Sequence, residues 1–289
     1  MKKRQQLWAY VMIAPMVLGI LVFAVYPMIT ALIGSLFSID VPRSQFLFIG
    51  LENYETIFTS PDFLKVVANT LIYVASIVGG SLVFGTLLAV WLSKKKLRYN
   101  IVLTIIFSPH VVSLVSVSIL WMWLLDPDKG LINYLLGLIG IEGPLWLTSP
   151  STALISVIIV GFWKVIGYNT LILVSGLQMI PLDVYEAARL DGAGFFKTLT
   201  NITVPLLSPS LFFVFITSTI SSFGTFDSVS VMTQGKPMNS SNVLAYWIYE
   251  TGFKHFRLGE AMAGSVILIL IIVFVSSFNF KSTAQKVHY

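Results

Sequence analysis

Between Gln5 and Ile39 the chain carries no charged residue. Runs of this kind recur along its length. The stretches 66–93, 101–125, 206–226 and 261–280 contain no Lys, Arg, Asp or Glu, and 153–178 contains only Lys164. About 20 apolar residues suffice for a helix to cross a bilayer. Charged residues are 11% of the 289 and hydrophobic ones 56%, whereas soluble domains carry about 25% charge. The sequence therefore predicts an all-α membrane protein with six transmembrane helices, at roughly 8–37, 67–93, 101–125, 153–178, 206–226 and 261–280, in a single domain over 1–289. The first run is longer than the apolar core of a secretory signal and has no Ala-x-Ala site, so it is expected to remain as an uncleaved span. Pro15 and Pro27 are expected to kink it.

Charge placement orients the spans. With six crossings, both termini, the cluster Lys94, Lys95, Lys96 and Arg98, and the loop at 180–205 share one side. That side holds eleven of the eighteen Lys and Arg residues, the opposite loops hold six, and Lys164 is the last. The excess marks the first side as cytoplasmic. Read this way, the basic cluster is a topology signal and not a nucleic-acid patch. Cysteine is absent, which excludes disulfides and thiolate metal sites. His110, His255 and His288 are too scattered to suggest a metal centre.

Three features inside the spans invite explanation. Ser76/Gly80 and Ser81/Gly85 have small-xxx-small spacing and read as close helix packing. Lys164 lies near the middle of its span, where a charge costs at least about 2.5–3.5 kcal/mol; it must face a cavity, a partner helix or a counter-ion. Trp163, Tyr168 and Asn169 lie beside it, with Tyr168 on the same helical face. These four residues form a candidate substrate pathway, able to hold a hydroxylated or anionic ligand. The alternative is a structural lysine bonded to carbonyls or paired across a subunit boundary. His110 reads as a neutral histidine bonded to a neighbouring helix.

The most informative polar stretch is Pro181–Pro209. Asp183 is a candidate N-cap with Glu186 three residues on, as in a capping box, and Gly192 supplies a left-handed helix end. A second short amphipathic turn over 195–202 leads to Pro205. Glu186, Ala187, Ala188, Asp191, Gly192 and Ala193, followed by Ile202, Pro205 and Pro209, resemble the EAA loop of ABC importer permeases, and the spacing looks like the carbohydrate-uptake branch. Leu199 stands where a phenylalanine is common. Gly50–Tyr54, Asn69-Thr70, Thr233–Pro237, Tyr246–Glu250, Gly252, Phe253 and Gly259 extend the resemblance to nearly the whole chain, although Lys236 replaces a glycine that is more usual.

That resemblance implies a transport subunit, not an enzyme, in a bacterial or archaeal cytoplasmic membrane. The loop between spans 4 and 5 would be a coupling helix that docks on an ATP-binding subunit. Implied partners are a second, homologous permease forming a heterodimer, two ATP-binding subunits that hold ATP and Mg, and an extracytoplasmic solute-binding protein. This chain itself is expected to bind no cofactor, metal or nucleic acid, and it has no phosphate-cradling G-x-x-x-x-G-K-[ST]. A carbohydrate is the implied cargo, with glycerol-3-phosphate or a polyol as the alternative. A secondary transporter or channel is the rival class; such carriers usually show intramembrane carboxylates or inverted repeats, and the spans offer no carboxylate.

Overall fold

A computed structural model describes residues 2–40, 45–94 and 97–284. Arg43, Lys95, Lys96 and the tail 285–289, with His288, lie outside the described residues. Among the described residues the regular structure is helical apart from one two-stranded hairpin. By its contacts it divides into two units, one from the segments up to Phe63 and Trp247–Leu270, the other from Leu64–Tyr246 with the chain after Leu270.

The first unit opens with α1 (Lys2–Ile20), a π turn (Leu21–Val25) and α2 (Tyr26–Gly34). Helix α1 runs through Pro15 without interruption. Pro27 acts differently. It has no N–H to donate, and just before it the Tyr26 N–H bonds the Leu21 carbonyl five residues back, widening the turn instead of breaking the helix. Strands β1 (Phe37–Asp40) and β2 (Gln45–Phe48) pair antiparallel, with Phe37 opposite Phe48; Phe37 and Ile39 on one strand, and Phe46 and Phe48 on the other, are residue types that favour this local form. Helix α3 (Glu52–Thr59) follows. Buried Asn53 donates to the Ser35 carbonyl at 2.8 Å and the Phe37 carbonyl at 3.0 Å, while the Tyr54 hydroxyl meets Ser35 Oγ at 2.7 Å. The polar pair of this motif thus closes the end of the first span.

The second unit holds most of α4 (Pro61–Leu92), then α5 (Leu97–Val111), α6 (Leu114–Leu124), α7 (Leu131–Leu138) and α8 (Ala153–Gln178). Short helices α9 (Leu182–Leu190), α10 (Phe195–Thr198) and α11 (Val204–Leu206) lead to α12 (Ser208–Phe223) and α13 (Asp227–Met232). Helix α14 (Leu244–Tyr249), a π turn (Glu250–Lys254) and α15 (Leu258–Ala284) complete the chain. Among the described residues, five helical segments are long and apolar enough to cross a membrane. The stretch at 101–125 is not one straight span: α5 and α6 diverge by 102° at a short break. Pro109 withdraws a backbone donor near the end of α5, and Ser113 is extended, at φ −55 and ψ 136.

Helix α8 organises the second unit, with half of its most apolar window buried. In lipid, helices associate through van der Waals fit and interhelical hydrogen bonds, because tails are as apolar as leucine. Both devices are present. A side-chain carbon at Gly80 would fall 2.9 Å from the Phe162 ring, and one at Gly85 would lie 3.3 Å from Leu173. Ser81 is fully buried and accepts a hydrogen bond from Asn169 of α8. The small residues of α4 therefore serve close packing against α8. At one end of α8 a core of Leu173, Val174 and Leu177 meets Ala89, Tyr99 and Val214; at the other, Val157 packs with Tyr73, Val229 and Tyr246.

Between α6 and α8 the chain forms more than a simple loop. Asn133 of α7 donates to the carbonyls of Pro127 at 3.0 Å and Pro144 at 3.3 Å and accepts from the Trp146 indole at 2.7 Å.

Candidate functional site

Helix α9 is the core of the polar stretch at 180–205. It begins two residues earlier than a cap at Asp183 requires. Pro181 occupies the N-cap position at φ −58 and ψ 138, and no side chain caps the helix. Asp183 instead lies in the first turn, where its charge complements the positive end of the helix dipole. Glu186 is exposed and the capping box does not form. Proline accounts for the shift, since its fixed φ suits a helix entry and it has no N–H to leave unpaired.

The helix ends as Gly192 predicts. Gly192 sits at φ +70. Its N–H bonds the Arg189 carbonyl at 3.1 Å, and the Ala193 N–H reaches the Ala188 carbonyl at 2.9 Å. This paired pattern is a Schellman ending, which satisfies carbonyls the helix would otherwise leave open. Asp191 is the C-cap, bonded through its N–H to Ala187 at 3.0 Å.

Side chains of α9 divide cleanly. Ala188 is buried at 5% exposure, whereas Glu186, Ala187, Asp191 and Gly192 are exposed and Ala193 is intermediate. Leu190 is 90% exposed, and Met179, Leu182, Phe195 and Phe196 also lie open. A cavity of about 600 Å³ beneath the helix is lined by Ser93, Lys94, Tyr185, Glu186, Arg189 and Phe195, among others. Clustered apolar side chains with charges of both signs around a concave site have the character of an interaction surface.

The four intramembrane candidates are not brought to one pocket. Half-buried Lys164 donates to three backbone carbonyls at the α5–α6 break: Pro109 at 3.1 Å, His110 at 3.2 Å and Val112 at 2.5 Å. Tyr168 stacks on His110, with ring centroids 4.3 Å apart and planes 8° from parallel. Trp163 meets Trp121 edge to face at 5.6 Å and stays 39% exposed. Asn169 is 2% exposed and donates to Ser81 Oγ at 2.8 Å and Ser218 Oγ at 3.1 Å, joining α4, α8 and α12. The histidine expectation also changes: the ring of His110 stacks, and its buried Nδ1 has no hydrogen-bond partner. Sequence periodicity placed Lys164 and Tyr168 correctly on one face. It missed the broken helix that occupies that face, for which the signals were Pro109 and a charge at mid-span.

Comparison with known proteins settles the class. Residues 81–287 match the family described as binding-protein-dependent transport system inner membrane component. The chain belongs to this family. A permease of this kind is a multi-pass inner-membrane protein of an ABC transporter; it is not an enzyme, and ATP hydrolysis resides in partner subunits. Among similar proteins, the sn-glycerol-3-phosphate transport system permease protein UgpA of Pectobacterium atrosepticum is 31% identical, over 97% of this chain and 95% of that protein. The probable ABC transporter permease protein YurN of Bacillus subtilis is 30% identical over 97% of both. Two crystal structures share the permease fold. A bacterial alginate ABC transporter in complex with an alginate pentasaccharide-bound periplasmic protein superposes with a TM-score of 0.84 at 22% identity, covering 98% of this chain and 96% of that one. A bacterial ABC transporter involved in import of the acidic polysaccharide alginate gives 0.81 at 25% identity, with the same coverages.

Proposed function

We propose that this permease subunit moves a carbohydrate into the cytoplasm, driven by a separate ATPase that docks on the loop at 180–205. The observation that carries the reading is the α9 surface. A short helix with a glycine ending leaves Ala187 and Leu190 open, while its Glu186 and Arg189 line the adjoining cavity. An amphipathic helix seated in a partner's groove is a common recognition mode, and a helix fixed at both ends can pass the partner's closure to α8 and α12 without yielding. A second homologous permease completes the pathway as a heterodimer. Two ATP-binding subunits hold ATP and Mg, and an extracytoplasmic solute-binding protein delivers the cargo. In this arrangement both termini are cytoplasmic.

A second cargo, glycerol-3-phosphate, is favoured by the names of relatives such as UgpA. Lys164 gives that reading no support, because its ammonium is committed to backbone carbonyls. The deciding experiment is ATPase activity of the reconstituted assembly, with oligosaccharides and glycerol-3-phosphate tested side by side with their binding proteins. Stimulation by a sugar is expected. Stimulation by the phosphate ester only would move the cargo to that group, and solute flux without ATPase coupling would sink the importer reading.

A further inference from the structure

We propose that Lys164 is the clamp that holds the broken third span in place, a positioning residue for transport and not a ligand for an anionic cargo. The carbonyls in the last turn of any helix lack intrahelical donors and carry the negative end of its dipole. Within a bilayer no water satisfies them. Helix α5 ends in this state inside the apolar segment, and α6 leaves at 102°. A lysine ammonium has three N–H donors, and Lys164 directs hydrogen bonds to three carbonyls at the helix end, those of Pro109 and His110 in the last turn and of Val112 just past it. One ammonium therefore answers both the unpaired carbonyls and the dipole. It leaves no donor for a carboxylate or phosphate unless the clamp opens.

Two further contacts place the same turn against the same face of α8. A side-chain carbon at Gly167 would collide with the Ile106 carbonyl oxygen, so only glycine admits α5 this closely. Tyr168 covers His110. Lys164, Gly167 and Tyr168 are spaced i, i+3 and i+4, forming a single stripe that receives residues 106–112. Of the three, Lys164 reaches past the last turn to Val112, next to extended Ser113. Its bonds therefore fix where α6 begins. The inference rests on the permease reading for its transport arm only.

The test uses the complete transporter in proteoliposomes. Because the chain has no cysteine, Ser118→Cys, at a fully buried position of α6, gives one reporter in this subunit, and its rate of modification by a small maleimide reads the opening of the break. Lys164→Met is expected to raise that rate about fivefold or more, as local opening becomes easier. Lys164→Gln keeps two N–H donors without the charge and is expected to fall between Lys164→Met and wild type. In transport, both variants should lower the maximal rate and leave KM unchanged for neutral and anionic solutes alike. Should Lys164→Met fail to assemble, Lys164→Gln decides. Labelling at the wild-type rate, with KM raised for the anionic solute alone, would overturn the clamp in favour of anion binding. Raised labelling in the variant, with no ATP-driven flux even in the wild-type assembly, would uphold the clamp and count against the proposed ATP-driven carbohydrate import.

Discussion

At the scale of single residues, polar side chains in this chain join backbone to backbone and helix to helix. Asn169 illustrates this. As a candidate ligand it sat beside Lys164 in the sequence, yet its amide is buried between Ser81 and Ser218. Interhelical hydrogen bonds in membranes average about 0.6 kcal/mol and reach about 1.7 kcal/mol. Asn169→Ala should therefore lower the thermal stability of the detergent-solubilised subunit by about 1 kcal/mol and leave the KM for solute unchanged. A changed KM with unaltered stability would return Asn169 to the pathway. Gly192 makes the converse case, where the side chain must be absent. At φ +70 a β-carbon added to Gly192 would meet nothing within 4 Å, so the cost of Gly192→Ala is conformational, about 1–2 kcal/mol. ATPase binding to the permease should weaken about tenfold for that cost, while Gly192→Asn, which tolerates the left-handed region, should weaken it less. Equal affinities for all three proteins, measured by titrating ATPase onto reconstituted permease, would show that the ending of α9 does not shape the docking surface.

Elements show where sequence reasoning succeeds and where it stops. Apolar runs located the membrane helices because hydrophobic length is a property of each segment by itself. Gly192 was legible for a similar reason, since only the local backbone decides a left-handed ending. Asp183 was not, because Pro181 competes for the same helix entry and its fixed φ wins. The break in the third span was hidden for a different reason. Pro109 alone permits a kink, and the 102° turn also needs a partner helix that offsets the cost of open carbonyls. That partner is α8, whose Gly167 admits α5 and whose Lys164 closes its end, and the pairing joins residues more than fifty positions apart. Gly167→Leu should accordingly prevent α5 from seating. The expected result is loss of assembled permease from the membrane fraction, with Gly79→Ala, which meets nothing within 4 Å, behaving as wild type. Normal assembly of Gly167→Leu would mean that α5 can shift without consequence.

On the scale of the whole molecule, the charge asymmetry and the docking surface make one joint claim. Eleven Lys and Arg residues on the side of the 180–205 loop, against six on the other, predict a cytoplasmic loop, as the proposed docking of an ATPase requires. The same topology predicts that the loop at 233–242 faces the opposite compartment, from which the proposed binding protein would deliver solute. Its shape suits a fixed surface feature. Lys65 donates to the Met238 carbonyl at 2.7 Å, Asn69 bonds the Asn239 and Asn242 carbonyls at 2.8 and 3.0 Å, and Met238 itself is 77% exposed. Single cysteines at Leu190 and Met238, both on open side chains in a chain without native cysteine, convert the claim into a measurement. In intact spheroplasts a membrane-impermeant maleimide should label Met238→Cys and spare Leu190→Cys, and inverted vesicles should give the reverse. Labelling of Leu190→Cys from outside would invert the topology. It would remove the ATPase from reach of α9, and the proposed coupling would fail with it whatever the fold.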